Sequence, residues 1–289
     1  MSSTLPQVVV TGSTGALGGQ VASALADAGI AQRLIVRSLA RAPQLHGAVA
    51  RQADYSDRGA ALGALEGVST LFMVSGRESP TRRRDHATFI RAAADAGVQH
   101  VVYTSFFAAA PDAVFTHARD HDEAEHLIKE SGMSWTFLRD NFYMDVLPDF
   151  IGDDGVLRGP AGDGRCSFVA REDVARVAAT VVMAPSEHAG QTYELTGPQA
   201  LSLEEAAATM TRVLGRSITY HAETVAEAYA SRRAWPTEQW EYDAWVSTYT
   251  AIASGDLSRV SDDVERVTGR APATFDSYLL QLRRDHGLT

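Results

Sequence analysis

The stretch Val8-Val9-Val10-Thr11-Gly12-Ser13-Thr14-Gly15-Ala16-Leu17-Gly18 places three β-branched residues directly before three glycines at intervals of three. Beyond Gly18, apolar residues recur at helical spacing as far as Gly29, so the pattern predicts a buried strand, a glycine turn and a helix. The start of a helix carries free N–H groups and a partial positive charge, which suit a pyrophosphate. This stretch therefore favours nucleotide binding over an ordinary strand-to-helix turn.

Strand-like and helical segments alternate along the first half of the chain. Predicted strands follow at 33–37, 48–53, 70–74, 100–104 and 135–138, and predicted helices at 60–65, 89–94 and about 119–130 lie between them. This alternation is typical of an α/β protein with a parallel sheet covered by helices on both faces. We predict a Rossmann-type doubly wound sheet whose ligands bind beyond the carboxyl ends of the strands.

The second half has a different composition. Glycines, aspartates and one proline over 152–164 predict a loop that leaves the sheet. A short strand and a helix are predicted over 169–183 and a strand at 192–195, and Ser202 with Glu205 predicts a capped helix start. The remainder is predicted to be mostly helical. We predict a Rossmann domain over 1–151, with strand and helix returns in 165–197, and mainly a small substrate-covering lobe over 152–289.

Composition and charge exclude several classes of protein. The chain has 289 residues and a net charge of −10, which argues against binding to nucleic acid or anionic membranes. No stretch approaches the roughly 18 apolar residues of a membrane span, and residues 1–7 lack the pattern of a signal peptide. The single cysteine, Cys166, fits a reducing compartment. We expect a cytoplasmic protein.

The second predicted strand ends in a cation. In dinucleotide-binding folds an acidic residue at this place holds the free 2′-hydroxyl of NAD, whereas an arginine accommodates the 2′-phosphate of NADP. Here the residue is Arg37, and no acidic residue lies between it and Arg41. Because arginine grips phosphate through paired hydrogen bonds, the sequence favours NADP(H) over NAD(H). The arginine run 82–84 is typical of a solvated helix face.

The catalytic pair Tyr-x-x-x-Lys, common on this fold, is absent. Lys129 is the only lysine, and Glu125 stands four residues before it. This excludes the usual alcohol dehydrogenase and sugar-nucleotide epimerase chemistry. In the same predicted helix His117 and His121 share a face, but no third fixed ligand accompanies them, so we predict no metal. Instead we expect His121 to orient the substrate or supply a proton.

Several motifs in order carry a resemblance to a known family. They are the glycine stretch 11–18, Val36-Arg37, Ala53-Asp54-Tyr55, Tyr103-Thr104-Ser105, His121-x-x-x-Glu125 and Leu138-Arg139-Asp140-Asn141-Phe142-Tyr143, extended to about residue 215 by 159–164 and 171–175. Together they resemble the NmrA-like atypical short-chain dehydrogenases/reductases, the group that includes bacterial NADPH:quinone and triphenylmethane reductases. The C-terminal lobe is less diagnostic.

The resemblance implies a site for NADP(H) and roles for individual residues. The cofactor residues that it implies are Gly12, Ser13, Thr14, Gly15, Ala16, Leu17 and Gly18 at the pyrophosphate, Arg37 at the 2′-phosphate, Asp54 and Tyr55 near adenine, Val74 and Ser75 beside the ribose, and Thr104, Ser105, Asp140, Asn141, Phe142 and Tyr143 at the nicotinamide. The expected catalytic residues are Tyr103, His121 and Asn141, and the expected substrate contacts are Phe106, Phe142 and Tyr143.

Two positions depart from the family pattern. His121 stands where the related isoflavone reductases carry a catalytic lysine, and imidazole is a poorer cation at neutral pH. Asp140-Asn141-Phe142 replaces the Asn-Gly-Trp triplet of the quinone reductases, so we expect a different substrate pocket. The sequence thus supports two hypotheses. One is an oxidoreductase, monomeric or homodimeric, that passes hydride from NADPH to a quinone or similar small planar electrophile. The alternative is an NADP(H)-binding, redox-sensing regulator without catalysis.

Overall fold

The computed structural model describes residues 5–285. Within that range the strands, in chain order, are β1 Val8–Thr11, β2 Gln32–Val36, β3 Ala48–Gln52, β4 Thr70–Met73, β5 His100–Phe106, β6 Ser134–Asp140, β7 Val156–Gly159, β8 Arg165–Cys166, β9 Gln191–Leu195, β10 Leu201–Ser202 and β11 Thr219–Ala222. The α-helices are α1 Ala16–Asp27, α2 Arg58–Leu65, α3 Arg82–Asp95, α4 Thr116–Glu130, α5 Arg171–Met183, α6 Leu203–Leu214, α7 Val225–Arg232, α8 Gln239–Ala253, α9 Asp263–Thr268 and α10 Phe275–Asp285.

The predicted Rossmann-type sheet is confirmed. Among the described residues it has seven strands in the order β3-β2-β1-β4-β5-β6-β9. The pairs β1–β2, β2–β3, β1–β4 and β4–β5 are all parallel. The strand order reverses between β1 and β4, and open sheets of this type bind their ligands outside the strand ends at such a reversal. The sequence pattern therefore predicted both the fold and the edge at which its site lies.

The chain divides into two compact units. The first comprises the chain up to Ala109 with Asp120–Arg139 and Glu172–Tyr193, and the second comprises Ala110–Arg119, Asp140–Arg171 and the chain from Glu194 onward. We call these the first and second units. The domain division predicted at residue 151 stays a prediction.

The core of the first unit is built where the sheet meets its helices. Phe89 of α3, Tyr103 of β5 and Phe137 of β6 are fully buried in one apolar cluster. Arg33 of β2 is also buried. Its guanidinium donates one hydrogen bond of 2.5 Å to the carbonyl of Ala64 near the end of α2 and another of 3.1 Å to the carbonyl of Pro6 just before β1. A buried arginine is tolerated here because it satisfies carbonyls that the end of α2 leaves without partners.

The second unit contains two short sheets and most of the C-terminal helices. β7 pairs in parallel with β11, and β8 pairs antiparallel with β10. The predicted loop over 152–164 is therefore wrong in part, because β7 lies inside it and finds its partner far along the chain. The predicted strand at the start of 169–183 is only a single bridge between Tyr143 and Val169. The capped start of α6 is confirmed, since Ser202 and Glu205 form both reciprocal hydrogen bonds.

Candidate active site

The first unit contains a cleft of about 430 Å³ at the carboxyl ends of β1, β2, β3 and β4. This is the place where the strand order reverses, so the cleft lies where dinucleotide-binding folds hold their ligand. Eight of the predicted cofactor residues line it: Gly12, Thr14, Gly15, Arg37, Asp54, Tyr55, Val74 and Ser75. The structure thus brings together residues from four separate segments of sequence.

The glycine turn has no space for a side chain at Gly12 or Gly18. Gly12 has φ +64°, and a Cβ there would lie 3.1 Å from the Cβ of Val74. A Cβ on Gly18 would lie 2.4 Å from the carbonyl oxygen of Gly12, so glycine is required where α1 meets the turn. Gly15 caps α1 and is exposed. The turn therefore presents the free N–H groups of a helix start to the cleft, which fits the pyrophosphate of a dinucleotide.

Other residues of the predicted turn face inward. Ser13, Leu17 and Gly18 are buried, whereas Thr14 and Ala16 are exposed. Side chains of the buried residues thus shape the turn, and their part in cofactor binding stays a prediction.

Arg37 stands directly after β2 and is exposed at the cleft. Its backbone carbonyl accepts a hydrogen bond from Gln52, while its guanidinium forms no hydrogen bond or salt bridge within residues 5–285. The nearby carboxylate of Asp54 is turned back to Ser56, whose hydroxyl and N–H donate to it at 2.6 and 2.9 Å and lower its pKa. Arg37 is therefore available to bind an anion from the cleft.

Tyr55 fastens the strand ends that form the cleft. Its hydroxyl donates to the carbonyl of Val74 at 2.6 Å and lies 2.6 Å from the hydroxyl of Thr11. The Thr11 hydroxyl in turn accepts a hydrogen bond from the N–H of Val74. The Tyr55 ring stacks on Phe89 with centroids 4.2 Å apart, and burial raises the pKa of the phenol. Tyr55 thus joins β1, β4 and α3 while one side of it lines the cleft.

The three arginines at 82–84 differ in their exposure to solvent. Arg83 and Arg84 are exposed, but Arg82 is only 4% exposed and lines the cleft, so the prediction is wrong for Arg82. Arg82 Nε donates to the carbonyl of Gly76, and the Gly76 N–H donates to His86 Nε2. Burial lowers the pKa of His86 to about 3, which keeps the ring a neutral acceptor. The spacing of Arg82 and His86 was the one sequence signal for this shared face.

The structure places Tyr103 and His121 in direct contact. His121 Nε2 lies 2.9 Å from the Nη2 of Arg82, and because a guanidinium can only donate, Nε2 must be the acceptor. The imidazole is therefore neutral with its hydrogen on Nδ1, which donates to the Tyr103 hydroxyl at 3.1 Å. Phe106 lies beside the same ring, with centroids 6.1 Å apart. Tyr103, His121 and Phe106 thus lie side by side, and their part in catalysis stays a prediction.

Thr104 and Ser105 hold neighbouring parts of the first unit. Thr104 Oγ1 accepts a hydrogen bond of 2.7 Å from the N–H of Ser75. Ser105 donates at 2.5 Å to Glu125, whose buried carboxylate also receives two hydrogen bonds from Arg139 at 2.6 and 2.7 Å. This pairing raises the pKa of Arg139. No local pattern predicted the Ser105–Glu125–Arg139 network, because its members lie on three different elements, β5, α4 and β6.

In the second unit, a buried carboxyl follows the end of β6. Asp140 is 6% exposed, and the Tyr143 hydroxyl donates to its Oδ2. Burial raises the pKa of Asp140 to about 7. The guanidinium of Arg171 lies 4.7 Å from the Tyr143 ring centre. Asn141 is held on all sides: its amide donates to Ser167 and to a carbonyl and accepts from Phe142 and Cys166. Asn141 therefore fixes the chain here, and its catalytic role stays a prediction.

Aromatic rings of the second unit cluster around Phe142. Phe115 meets Phe142 edge-to-face with centroids 5.0 Å apart, and His117 meets Phe115 at 5.5 Å and Trp240 at 6.3 Å. We call these four residues the aromatic cluster. Edge-to-face contacts of this kind offer flat apolar surface to a planar ligand. His117 is part of this cluster.

Comparison with known proteins identifies the family. The NmrA-like family profile matches residues 5–236. The chain belongs to the NmrA-like family. Its relatives include the NAD(P)H azoreductase of Xenophilus azovorans, 33% identical over 94% of this chain and 96% of that protein. Quinone oxidoreductase 2 of Escherichia coli strain K12 is 32% identical over 93% of this chain and 96% of its own length.

Solved structures agree with this assignment. The crystal structure of the E. coli NADPH-dependent quinone oxidoreductase QOR2 with NADPH is 31% identical and covers 95% of this chain and 99% of that one, with a TM-score of 0.87. The triphenylmethane reductase of Citrobacter sp., complexed with NADP(H), is 28% identical with the same coverage and a TM-score of 0.85. The predicted resemblance and the predicted oxidoreductase class are confirmed.

Residues 5–285 contain no group of three histidine, cysteine, aspartate or glutamate side chains placed to hold a metal ion. No helix in that part of the chain is both long and apolar enough to cross a bilayer.

Proposed function

We propose that this NmrA-like protein transfers hydride from NADPH to a quinone or a similar small planar conjugated acceptor. The observation that carries the proposal is the cleft of the first unit, in which a glycine turn, a helix start and the unpaired guanidinium of Arg37 face the same space. The names of the relatives, an azoreductase, a quinone oxidoreductase and a triphenylmethane reductase, support an acceptor of this kind.

The residues of the cleft fit a dinucleotide with a 2′-phosphate. The turn from Gly12 to Gly18 would hold the pyrophosphate, and Arg37 would bind the 2′-phosphate through charge-assisted hydrogen bonds. Asp54 and Tyr55 would lie near the adenine, and Val74 and Ser75 beside the ribose. The reduced nicotinamide supplies the hydride when it is bound. A preference for NADP(H) over NAD(H) follows because no acidic residue competes at the end of β2.

The acceptor side requires flat apolar contacts more than strong acid–base groups. A quinone is already electron-poor, and its reduced oxygen can draw a proton from water. The missing Tyr-x-x-x-Lys pair is compatible with such an acceptor. Phe142, with Phe115 against it, and Tyr143 are the acceptor contacts that we propose in the second unit. Whether the active species is a monomer or a homodimer stays a prediction.

The regulatory alternative is less well supported. A redox sensor would use the same turn and the same Arg37, so the cleft alone does not separate the two functions. The relatives at 28–33% identity are reductases by name, however, and they match the chain over nearly its full length.

The test is acceptor-dependent oxidation of NADPH. Purified protein is mixed with NADPH and a panel of quinones, azo dyes and triphenylmethane dyes, and the absorbance of the reduced nicotinamide is followed. We expect oxidation that requires both protein and acceptor. Tight binding of both NADP redox states without oxidation by any member of the panel would instead indicate the sensor.

A further inference from the structure

The carboxyl of Asp140 is a buried acidic group, and one of its two oxygens has no hydrogen-bond partner within residues 5–285. Asp140 ends β6 and is 94% withdrawn from solvent, being only 6% exposed. Its Oδ2 accepts the hydrogen bond from Tyr143, but its buried Oδ1 has no hydrogen-bond partner among the described residues. Buried polar atoms are nearly always paired, so an unpaired carboxyl oxygen points to a ligand or a proton.

The charged groups around Asp140 do not neutralise it. Arg171 belongs to α5, and its guanidinium stacks on the Tyr143 ring and pairs with Asp145 at 3.3 Å. The backbone N–H of Arg171 also donates to Asp145 at 2.9 Å. Tyr278 of α10 is a further titratable group here, and the charges of Asp145, Arg171 and Asp149 act on its phenol. Arg171 is engaged by Asp145, and its charge lowers the pKa of Asp140 less than burial raises it. Within residues 5–285 no cation forms a salt bridge with the Asp140 carboxyl.

This arrangement favours a neutral carboxylic acid near neutral pH. A buried carboxyl without a cationic partner keeps its proton, and such an acid can donate it to a reacting group. The phenol of Tyr143 is a poor acid by itself, because burial and the neighbouring Asp140 raise its pKa. Tyr143 is half-buried whereas Asp140 is buried, so Tyr143 is the more exposed residue of the pair.

We propose that Asp140 and Tyr143 form a proton-donating pair, in which Tyr143 contacts the acceptor and Asp140 is the acid behind it. This inference rests on the proposed function, which supplies the acceptor and its hydride. For this step the Tyr143 hydroxyl turns its hydrogen from Asp140 Oδ2 to the acceptor, and the protonated Asp140 carboxyl donates a hydrogen bond to the Tyr143 oxygen instead. As the acceptor takes up the hydride with its two electrons, the O–H bond of Tyr143 breaks and its proton passes to the acceptor oxygen. The proton of Asp140 moves to the Tyr143 oxygen, Asp140 is left as a carboxylate, and solvent returns the proton.

The first test needs neither cofactor nor acceptor. Infrared spectra of the protein recorded across pH 5–9 should contain a band of a protonated carboxylic acid that disappears near pH 7. The band should be missing from Asp140→Asn, which keeps the side-chain shape but cannot hold the proton. It should persist in Asp149→Asn, a matched variant in which an exposed carboxyl nearby is changed. If the band is absent from the wild-type protein at pH 5, or unchanged in Asp140→Asn, the proposal is wrong.

The second test compares turnover of the same proteins. The kcat of the wild type should fall as pH rises through about 7, whereas the kcat of Asp140→Asn should be lower by at least about tenfold at pH 6 and nearly independent of pH. Tyr143→Phe should lower kcat at every pH. Wild-type protein that oxidises no NADPH overturns the proposed function itself. An active wild type whose pH profile survives in Asp140→Asn overturns only the proton-donating pair.

Discussion

The cleft of the first unit and the surroundings of Asp140 in the second are built on opposite principles. The cleft is open to solvent, and backbone atoms of the glycine turn form part of its wall. The exposed guanidinium of Arg37 contributes a positive charge to it. Asp140 is buried, and the Tyr143 hydroxyl donates a hydrogen bond to its carboxyl. Open backbone and exposed charge suit the binding of a large anion, whereas burial shifts the pKa of an acid towards the working range. Binding and proton chemistry thus demand different surroundings from the same chain.

The largest effect is expected from a substitution that adds a side chain inside the glycine turn. Gly18→Ala places a Cβ 2.4 Å from the carbonyl oxygen of Gly12, so α1 must move away from the turn. We expect NADPH affinity to fall by at least about 100-fold, equal to about 2.8 kcal/mol, with a loss of roughly 1–3 kcal/mol in the free energy of unfolding. Titration of cofactor fluorescence and urea unfolding measure the two effects.

Gly63→Ala is the matched control for that substitution. A Cβ on Gly63 meets nothing within 4 Å, and the residue lies inside α2. This variant should bind NADPH normally and gain roughly 0.4–1 kcal/mol of stability. Equal affinities for the two variants would show that the turn does not hold the cofactor.

The next largest effect concerns the choice between NADPH and NADH. Arg37→Glu replaces the proposed partner of the 2′-phosphate with a repelling charge. Since hydrogen bonds to charged groups contribute about 1.5–3 kcal/mol, we expect the preference for NADPH to fall by roughly 10- to 100-fold. Arg91→Glu makes the same charge change at an exposed site on α3 outside the cleft. The ratio of kcat/KM for the two cofactors should change only in Arg37→Glu, and an unchanged ratio there would refute the assignment.

A smaller effect is expected on the free energy of unfolding, which should depend on pH through Asp140. Its pKa is raised to about 7, so between roughly pH 4 and 7 the folded chain holds a proton that the unfolded carboxyl has released. Stability must therefore fall as pH rises through this range, by roughly 2–3 kcal/mol between pH 5 and 8. Asp140→Asn should remove that slope, and Asp149→Asn should keep it. Urea unfolding at several pH values checks this, and parallel slopes for all three proteins would contradict the buried acid.

The smallest effect concerns the acceptor. Phe142→Ala removes the ring that packs edge-to-face on Phe115. Because an aromatic pair contributes about 0.5–1.5 kcal/mol, we expect the KM for planar quinones to rise by roughly 2- to 10-fold while the KM for NADPH stays constant. Phe150→Ala, at an exposed ring, is the control and should leave both constants near their wild-type values. A KM for quinones that does not change in Phe142→Ala would remove Phe142 from the acceptor site.

The sequence predicted those features that depend on residues close together in the chain. The glycine spacing and the apolar strands are read within a few residues, and they were enough for the fold, for the glycine turn and for the position of Arg37. The strand β7 was missed because its partner, β11, begins 63 residues after it at Thr219 against Val156. Pairing between such distant segments leaves no pattern in either one.

The buried charges could not be predicted for the same reason. Arg82 looks identical to its neighbours Arg83 and Arg84 in sequence, and only the contacts of its guanidinium with Gly76 and His121 distinguish it. The raised pKa of Asp140 depends on its burial, which outweighs the lowering effects of the Tyr143 hydrogen bond and of the Arg171 charge on another element. Local patterns predicted the position of the cleft, whereas the charge state of Asp140 required the assembled structure.

The most direct test of the proposed function is a kinetic isotope effect. NADPH carrying deuterium at one or the other face of C4 is oxidised by the wild-type protein with a quinone acceptor in a single turnover. If hydride passes from the bound cofactor to the acceptor, one of the two labelled forms should react several-fold more slowly than unlabelled NADPH and the other should react at the same rate. Equal rates for all three forms, or no acceptor-dependent oxidation, would contradict the account.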